Sequence, residues 1–131
     1  MWRLIPTNPS ILIFISICLE LCYQVSTNIL AHKGLVKLLV QSGAEVFITG
    51  RNSEKLSNIA SLHGIPSSHF LATDISDGAQ MELLATTVLN QLGTPDILIN
   101  LAGIGIIKPM EQLSLDDFSR SIQTNLIGAF L

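Results

Sequence analysis

Three short apolar runs, separated by stretches with helical spacing, constrain the fold of this chain most strongly. The runs are EVFIT at 45–49, HFLAT at 69–73 and DILIN at 96–100. Runs of this length that are rich in β-branched and aromatic residues are typical of buried strands. Strands that alternate with helices form βαβ units, in which helices cover both faces of a parallel sheet. The sequence therefore predicts an α/β fold with a doubly wound parallel sheet, in a single domain.

Residues that favour helix ends flank the stretches between these runs. They are Asn52 or Ser53, Asp77 with Gln80 and Ser114 with Asp117 at the starts, and Gly43, Gly64 and Gly93 at the ends. Ser, Asn and Asp side chains accept hydrogen bonds from the free N–H groups of a first turn, and glycine adopts the left-handed conformation that often follows a last turn. The sequence therefore predicts four helices, the third over about 77–92 and the fourth from about 115 to the end.

The residues directly after the strands are the first candidates for a binding site, because ligands of open parallel sheets bind beyond the carboxyl ends of the strands. These residues are Gly50 and Arg51, then Asp74 and Ile75, and then 100–103.

The first thirty residues differ in character from the rest. Arg3 precedes the run ILIFISICL at 11–19, and Glu20 follows it. This run is too short to span a bilayer, which takes about twenty residues, but a basic start followed by such a run is typical of a signal peptide. Three interpretations stay open: a secretory or membrane-anchoring leader, a buried strand, or residues foreign to the domain. We divide the chain into 1–30, an apolar leader whose status the sequence leaves open, and 31–131, the folded domain.

Charge and cysteine content argue against several kinds of partner. Seven basic and ten acidic residues give a net charge of −3, whereas nucleic-acid binding needs clustered Lys and Arg, so no nucleic-acid partner is predicted. Cys18 and Cys22 are one helical turn apart within an apolar stretch, which indicates packing residues and no disulfide framework. Their distance from His63 and His69 matches no compact zinc ligand set, and no metal site is predicted.

Four motifs follow one another in the chain: VFITGRN, LATDISD, DILINLAG and IQTNLIGAF. In this order and at these separations they resemble the short-chain dehydrogenase/reductase family, nearest to its 3-oxoacyl-acyl-carrier-protein reductase-like members. The resemblance covers residues 31–131 and implies a partial Rossmann-like dinucleotide-binding domain.

The resemblance assigns cofactor roles to residues after the second and third strands of the family's sheet. Arg51 stands where an acidic residue would bind the ribose 2′-hydroxyl of NAD, and a guanidinium there pairs with the 2′-phosphate of NADP. It therefore favours NADP(H) over NAD(H); the alternative is a solvated surface arginine. Asp74 would accept a hydrogen bond from the adenine amino group while the backbone of Ile75 contacts the ring. The alternative for Asp74 is a helix cap near Ser76, and both roles are compatible.

Further site residues are implied after the next strand and in the last helix. Asn100, Ala102 and Gly103 match the family's Asn-Asn-Ala-Gly turn, where small residues let the backbone approach the cofactor closely. Leu101 replaces the second asparagine and removes a polar side chain. Asn125 matches a helix asparagine that in the family helps to hold a water in a proton relay; the alternative is a polar residue on an exposed helix face.

The glycine-rich turn of the family, Thr-Gly-x-x-x-Gly-x-Gly, has no match here. Its glycines let the cofactor's pyrophosphate lie on a helix N-terminus. Counting back from Gly43 by the family spacing puts Ser26, Leu30 and His32 at the glycine positions and ELCYQ, residues 20–24, at the first strand. ELCYQ is a poor central strand, and without that strand the sheet would be split. Both the centre of the sheet and cofactor binding are therefore in question.

The family's catalytic Ser and Tyr-x-x-x-Lys lie beyond the helix that carries Asn125, and the chain ends at Leu131. In the family the tyrosine transfers a proton, the lysine lowers the tyrosine pKa and the serine orients the substrate. The single tyrosine, Tyr23, lies elsewhere. We therefore expect this chain alone to be an inactive fragment, with an uncovered apolar edge on the strand DILIN.

Two functions follow as alternatives. The first is an NADP-dependent short-chain oxidoreductase that interconverts a carbonyl and a secondary alcohol by hydride transfer. It would bind a nicotinamide cofactor and a small carbonyl or acyl substrate, lie in the cytoplasm and be able to form a homo-oligomer. The second is a non-catalytic Rossmann-like interaction protein, anchored to a membrane through residues 11–19.

Overall fold

A computed structural model describes residues 12–16 and 27–131 of the chain. The described strands form one parallel sheet in the order β3-β2-β1-β4. They are β1, Leu12–Ser16; β2, Glu45–Gly50; β3, Phe70–Ala72; and β4, Ile97–Asn100. The α/β fold and the parallel sheet predicted from the sequence are confirmed.

The strand register brings the carboxyl ends of all four strands to one edge of the sheet. Ser16 at the end of β1 pairs with Thr49 of β2 and with Asn100 at the end of β4. Gly50 at the end of β2 pairs with Ala72 at the end of β3. Residues that follow β2, β3 and β4 are therefore neighbours although they are far apart in the chain.

Helical segments connect and follow the strands. They are α1, Thr27–Gln41; α2, Ser53–His63; α3, Gly78–Gln91; α4, Leu115–Ile122; and α5, Gly128–Phe130. A π-helical turn, Gln123–Ile127, joins α4 to α5. This turn contains one residue more per hydrogen-bonded ring than an α-helix, and such insertions are frequent at functional sites.

The predicted helix caps are confirmed at the starts of the helices. The Asn52 side chain accepts a hydrogen bond from the N–H of Lys55 at 2.8 Å. Asp77 caps α3, where its Oδ1 accepts from the N–H groups of the second and third helical residues. Ser114 and Asp117 form a reciprocal capping box at α4.

Glycine follows the ends of three helices as predicted, since the left-handed φ values of 81° at Gly43, 71° at Gly64 and 88° at Gly93 are favourable only for a residue without Cβ.

The core lies on both faces of β2. Val46 and Ile48 point to one face, where they pack in a cluster with Val36 of α1 and Leu56 of α2. Phe47 points to the other face and packs against α3. This alternation follows from the two-residue period of a strand. It places α1 and α2 on one face and α3 on the other, so the sheet is doubly wound.

The apolar run at 11–19 contributes the central strand. β1 lies between β2 and β4, so the predicted split in the middle of the sheet is wrong. The strand expected at 20–24 lies outside the described residues. The sheet includes residues on both sides of the predicted division after residue 30. Among residues 12–16 and 27–131, no helix has the length and hydropathy that a bilayer-crossing helix requires.

The uncovered apolar edge expected on DILIN is confirmed for the described part of the chain. There β4 pairs with β1 on one side only. Ile97 and Leu98 are 44% and 59% exposed.

Candidate functional site

A shallow cavity lies beyond the carboxyl ends of the strands. Its lining residues come from the ends of β2 and β3, the loop after β4 and the π-helical turn: Gly50, Arg51, Thr73, Asp74, Ile75, Ala102 and Thr124. Four residues predicted for cofactor binding, namely Arg51, Asp74, Ile75 and Ala102, thus share one cavity. Thr73 and Thr124 were not predicted from the sequence, although each directly precedes a predicted site residue, Asp74 or Asn125.

The loop after β3 holds the Asp74 carboxylate in a defined orientation. Oδ1 of Asp74 accepts hydrogen bonds from the N–H of Ser76 at 2.9 Å and from its hydroxyl at 2.6 Å. The N–H of Asp74 donates to Oε1 of Gln80 at 2.9 Å. The N-cap of α3 is Asp77 and not Asp74. Asp74 therefore orders its own loop through its carboxylate and also lines the cavity.

Thr73 places a buried hydroxyl beside the cavity. Its N–H donates to the carbonyl of Gly50 at 2.9 Å, which joins the ends of β2 and β3. The residue is 2% exposed, and its hydroxyl has no hydrogen-bond partner in the described structure. By contrast, the buried hydroxyl of Thr49 donates to the carbonyl of Leu71 at 2.8 Å.

Hydrogen bonds with the π-helical turn and α5 order the turn after β4. The N–H of Ile104 donates to Oδ1 of Asn125 at 2.7 Å, and Nδ2 of Asn125 donates to the carbonyl of Ile104 at 2.9 Å. A Cβ on Gly103 would lie 3.3 Å from Oδ1 of Asn125. Glycine is therefore favoured at 103 because the Asn125 side chain occupies the adjacent space. The side chain of Asn100 reaches the carbonyl of Ala129 at 3.4 Å.

Leu101, at the position where the sequence departs from the family's asparagine, contacts the core. It is partly buried and packs against the cluster of Val36, Val46 and Ile48. Leu101 thus contributes apolar packing between the turn and the sheet.

An ion pair links the end of the loop after β4 to α4. Nζ of Lys108 lies 2.7 Å from Oδ2 of Asp117. The same oxygen accepts from the N–H and hydroxyl of Ser114. The Lys108 ammonium, followed by these Ser114 donors, lowers the pKa of Asp117 from 3.8 to about 2.

The residues available for a dinucleotide differ between its adenosine half and its pyrophosphate. At the ends of β2 and β3, where the adenosine half would lie, the lining offers a carboxylate, a guanidinium and small residues. The connection between β1 and α1, residues 17–26, lies outside the described residues and contains no glycine. Ser26 belongs to this connection, whereas Leu30 and His32 fall within α1.

No group of three or more His, Cys, Asp or Glu side chains that could hold a metal ion is present in the described parts of the chain. Cys18 and Cys22 lie outside them.

A doubly wound parallel sheet in the order 3-2-1-4, with a cavity beyond its carboxyl edge, defines a Rossmann-like α/β domain. The profile of the short chain dehydrogenase family matches residues 33–131. The chain belongs to this family.

Curated relatives include dehydrogenases of different substrates. The chain is 35% identical over 91 residues to D-threitol dehydrogenase of Mycolicibacterium smegmatis, covering 68% of this chain and 35% of that protein. It is 35% identical over 97 residues to 3-beta-hydroxysteroid dehydrogenase of Comamonas testosteroni, covering 74% of this chain and 38% of that protein. The chain thus spans well under half of each relative.

Solved structures show the same fold. A short chain dehydrogenase from Bacillus anthracis matches 91% of this chain and 45% of its own, with a TM-score of 0.72 and 25% identity. A 3-ketoacyl-(acyl-carrier-protein) reductase from Brucella melitensis complexed with NADH matches 92% of this chain and 46% of its own, with a TM-score of 0.70 and 24% identity.

Proposed function

We propose that this chain provides the nucleotide-binding part of an NADP(H)-dependent oxidoreductase that interconverts a carbonyl and a secondary alcohol. The observation that carries the proposal is the cavity in which Arg51, Asp74, Ile75 and Ala102 meet. Family membership supports a nicotinamide cofactor, and relatives named for sugar-alcohol and hydroxysteroid substrates support chemistry at a CH–OH group. The substrate would be a small carbonyl or acyl compound.

The residues of this chain would bind and orient the cofactor. The Asp74 carboxylate would accept from the adenine amino group, and the backbone of Ile75 would contact the ring. Ala102 and Gly103 would let the backbone after β4 approach the cofactor, with Asn100 at the strand end beside them. When bound, the nicotinamide would supply or accept the hydride. Asn125 would belong to the proton relay, and its bonds to Ile104 would also fix the turn.

The preference for NADP(H) depends on Arg51. This residue is exposed at the cavity and directly precedes Asn52, the N-cap of α2. A guanidinium binds a phosphate with two parallel hydrogen bonds, and the positive end of the helix dipole adds to the attraction. Both effects would favour the 2′-phosphate of NADP over the 2′-hydroxyl of NAD.

Residues 1–131 alone would bind the cofactor but would not catalyse the reaction. Tyr23 is the single tyrosine, and Thr27 stands four residues after it, so the 131-residue sequence carries no Tyr-x-x-x-Lys. NADPH oxidation by this chain with a ketone substrate, above the rate of a blank, would contradict this part of the proposal.

The test of the function compares NADPH and NADH binding to the purified chain by calorimetry. We expect NADPH to bind more tightly, and Arg51→Ala to weaken NADPH binding about tenfold while NADH binding changes little. Arg120→Ala, which removes an equal charge from α4 outside the cavity, is the matched control. Equal binding of both cofactors would overturn the NADP preference, and binding of neither would overturn the nucleotide-binding function.

The exposed edge of β4 favours a second candidate function, a non-catalytic protein that associates through this edge. Ile97 and Leu98 present apolar surface beside unpaired backbone groups in the described structure, and such edges pair readily with other strands. If a second copy binds there, the sedimentation coefficient rises with concentration, and Leu98→Lys abolishes the rise. Leu62→Lys, at an equally exposed position on α2, would leave it unchanged.

The remaining features of the proposal concern location and assembly. A cytoplasmic location suits a protein that uses the cytosolic nicotinamide pool, and a homo-oligomer is part of the proposal. Fractionation of cells that express the full protein, combined with its mass in solution, tests both.

A further inference from the structure

The π-helical turn Gln123–Ile127 touches both loops that form the candidate site. At its start, Nε2 of Gln123 donates to the carbonyl of Ser76 at 3.1 Å. Two residues later, Asn125 binds the backbone of Ile104. One turn of helix therefore fixes the loop after β3 and the loop after β4 relative to each other.

Hydrogen bonds connect Gln123 through Ser76 to Asp74, which lines the cavity. Ser76, whose carbonyl Gln123 holds, uses its own N–H and hydroxyl to hold Oδ1 of Asp74. Asp74 lines the cavity, whereas Gln123 does not. The hydrogen bond from Gln123 to Ser76 joins residues 47 positions apart in the chain, and the bonds from Ser76 to Asp74 join residues two positions apart.

Close packing beside this contact leaves little room for the loop to shift. A Cβ on Gly128 would lie 3.0 Å from Cδ1, Cγ1 and the carbonyl oxygen of Ile75. The helix backbone thus lies directly against the residue next to Asp74. Gln123 supplies a hydrogen bond to the loop after β3, and Gly128 packs closely against the same loop.

We propose that Gln123 is a positioning residue for base recognition: by holding Ser76 it keeps Asp74 and Ile75 in the geometry that binds adenine. This inference rests on the proposed nucleotide-binding function. Asp74 would touch the base, and Gln123 would act through Ser76.

The test uses adenosine as the probe, because it is uncharged and lacks the groups that Arg51 would bind. Its dissociation constant is measured on the whole chain from ¹H–¹⁵N shifts of Ile75 and Ser76. Gln123→Glu has the same size but no N–H donor, and Gln123→Lys retains a donor of similar reach. We expect Gln123→Glu to weaken adenosine binding about 3- to 10-fold and Gln123→Lys to restore it to within about twofold.

Control variants separate charge from hydrogen bonding. Gln112→Glu and Gln112→Lys make the same changes at an exposed position outside the cavity, and we expect wild-type affinity from both. Rescue by lysine but not glutamate identifies the donated bond as the cause, which a general loss of packing would not do. Gln123→Ala replaces Gln123→Glu as the donor-free variant if the glutamate variant loses its dispersed spectrum.

Two results would overturn the inference, and they differ. If the wild type binds adenosine and the donor-free variant binds it equally well, Gln123 has no positioning role and the proposed function stands. If adenosine shifts neither Ile75 nor Ser76 in the wild type, the proposed nucleotide site is wrong and the inference falls with it.

Discussion

Asn125 holds Ile104 with both ends of its amide: Oδ1 accepts from the Ile104 N–H at 2.7 Å, and Nδ2 donates to the Ile104 carbonyl at 2.9 Å. The helix residue thereby replaces the hydrogen bonds that a strand neighbour would make to this backbone. The turn that follows β4 is consequently ordered by a side chain 21 positions further along the chain.

We expect Asn125→Ala to lower the free energy of unfolding by about 1–2 kcal/mol, because two backbone groups lose their partner. Chemical denaturation measures the change, and hydrogen exchange at the Ile104 amide should accelerate. Asn90→Ala, at an exposed helical position, is the control and should stay within about 0.5 kcal/mol of the wild type. Unchanged exchange at Ile104 would contradict the two-bond contact.

Substitutions of glycine by alanine test the close packing of α5 against Ile75. Gly128→Ala places a Cβ 3.0 Å from side-chain and backbone atoms of Ile75, and we expect a loss of about 1–3 kcal/mol in thermal unfolding. Gly34→Ala lies in α1 with no atom within 4 Å of the added Cβ and should gain about 0.5–1 kcal/mol. Equal effects of the two variants would show that the helix does not pack against Ile75.

The free energy of unfolding should decrease at acidic pH, because the ion pair at the end of the loop after β4 requires an ionised Asp117. The Lys108 ammonium lowers the Asp117 pKa to about 2, below its ordinary value of 3.8. A lowered folded-state pKa contributes stability that is complete above the unfolded pKa and is lost as the pH falls toward about 2. We expect the denaturation midpoint to fall over this range, and Asp117→Asn to reduce the fall. Asp116→Asn changes the charge equally but leaves the ion pair, so it should retain the wild-type pH dependence.

Two buried threonines at strand ends should respond oppositely to valine. Thr73 has an unpartnered hydroxyl in the described structure, and Thr73→Val should raise the free energy of unfolding by about 1 kcal/mol because an unsatisfied polar group is removed. The Thr49 hydroxyl donates to Leu71, and Thr49→Val should lower it by about 1–2 kcal/mol. A loss at both positions would mean that the Thr73 hydroxyl has a partner.

Local sequence patterns were enough to predict the fold class and the region of the candidate site. The apolar runs that became β2, β3 and β4, and the capping residues Asn52, Asp77 and Ser114, act within a few residues of chain, so local patterns predict them. Since the carboxyl ends of parallel strands lie at one edge of a sheet, the sequence also predicts that Arg51, Asp74 and Ala102 lie in the same region.

The identity of the N-terminal residues that enter the sheet could not be predicted from local sequence. A short apolar run has the same pattern in a signal peptide and in a buried strand, and the family spacing pointed to residues 20–24. Leu12–Ser16 became β1 because its backbone pairs with β2 and β4, which lie far along the chain.

The same holds for the contacts that order the site. Gln123 meets Ser76, Asn125 meets Ile104, and Thr73 lines the cavity only once the helices pack onto the sheet. These contacts depend on hydrogen bonds and close packing between segments that are far apart in the chain. Patterns of neighbouring residues therefore do not predict them.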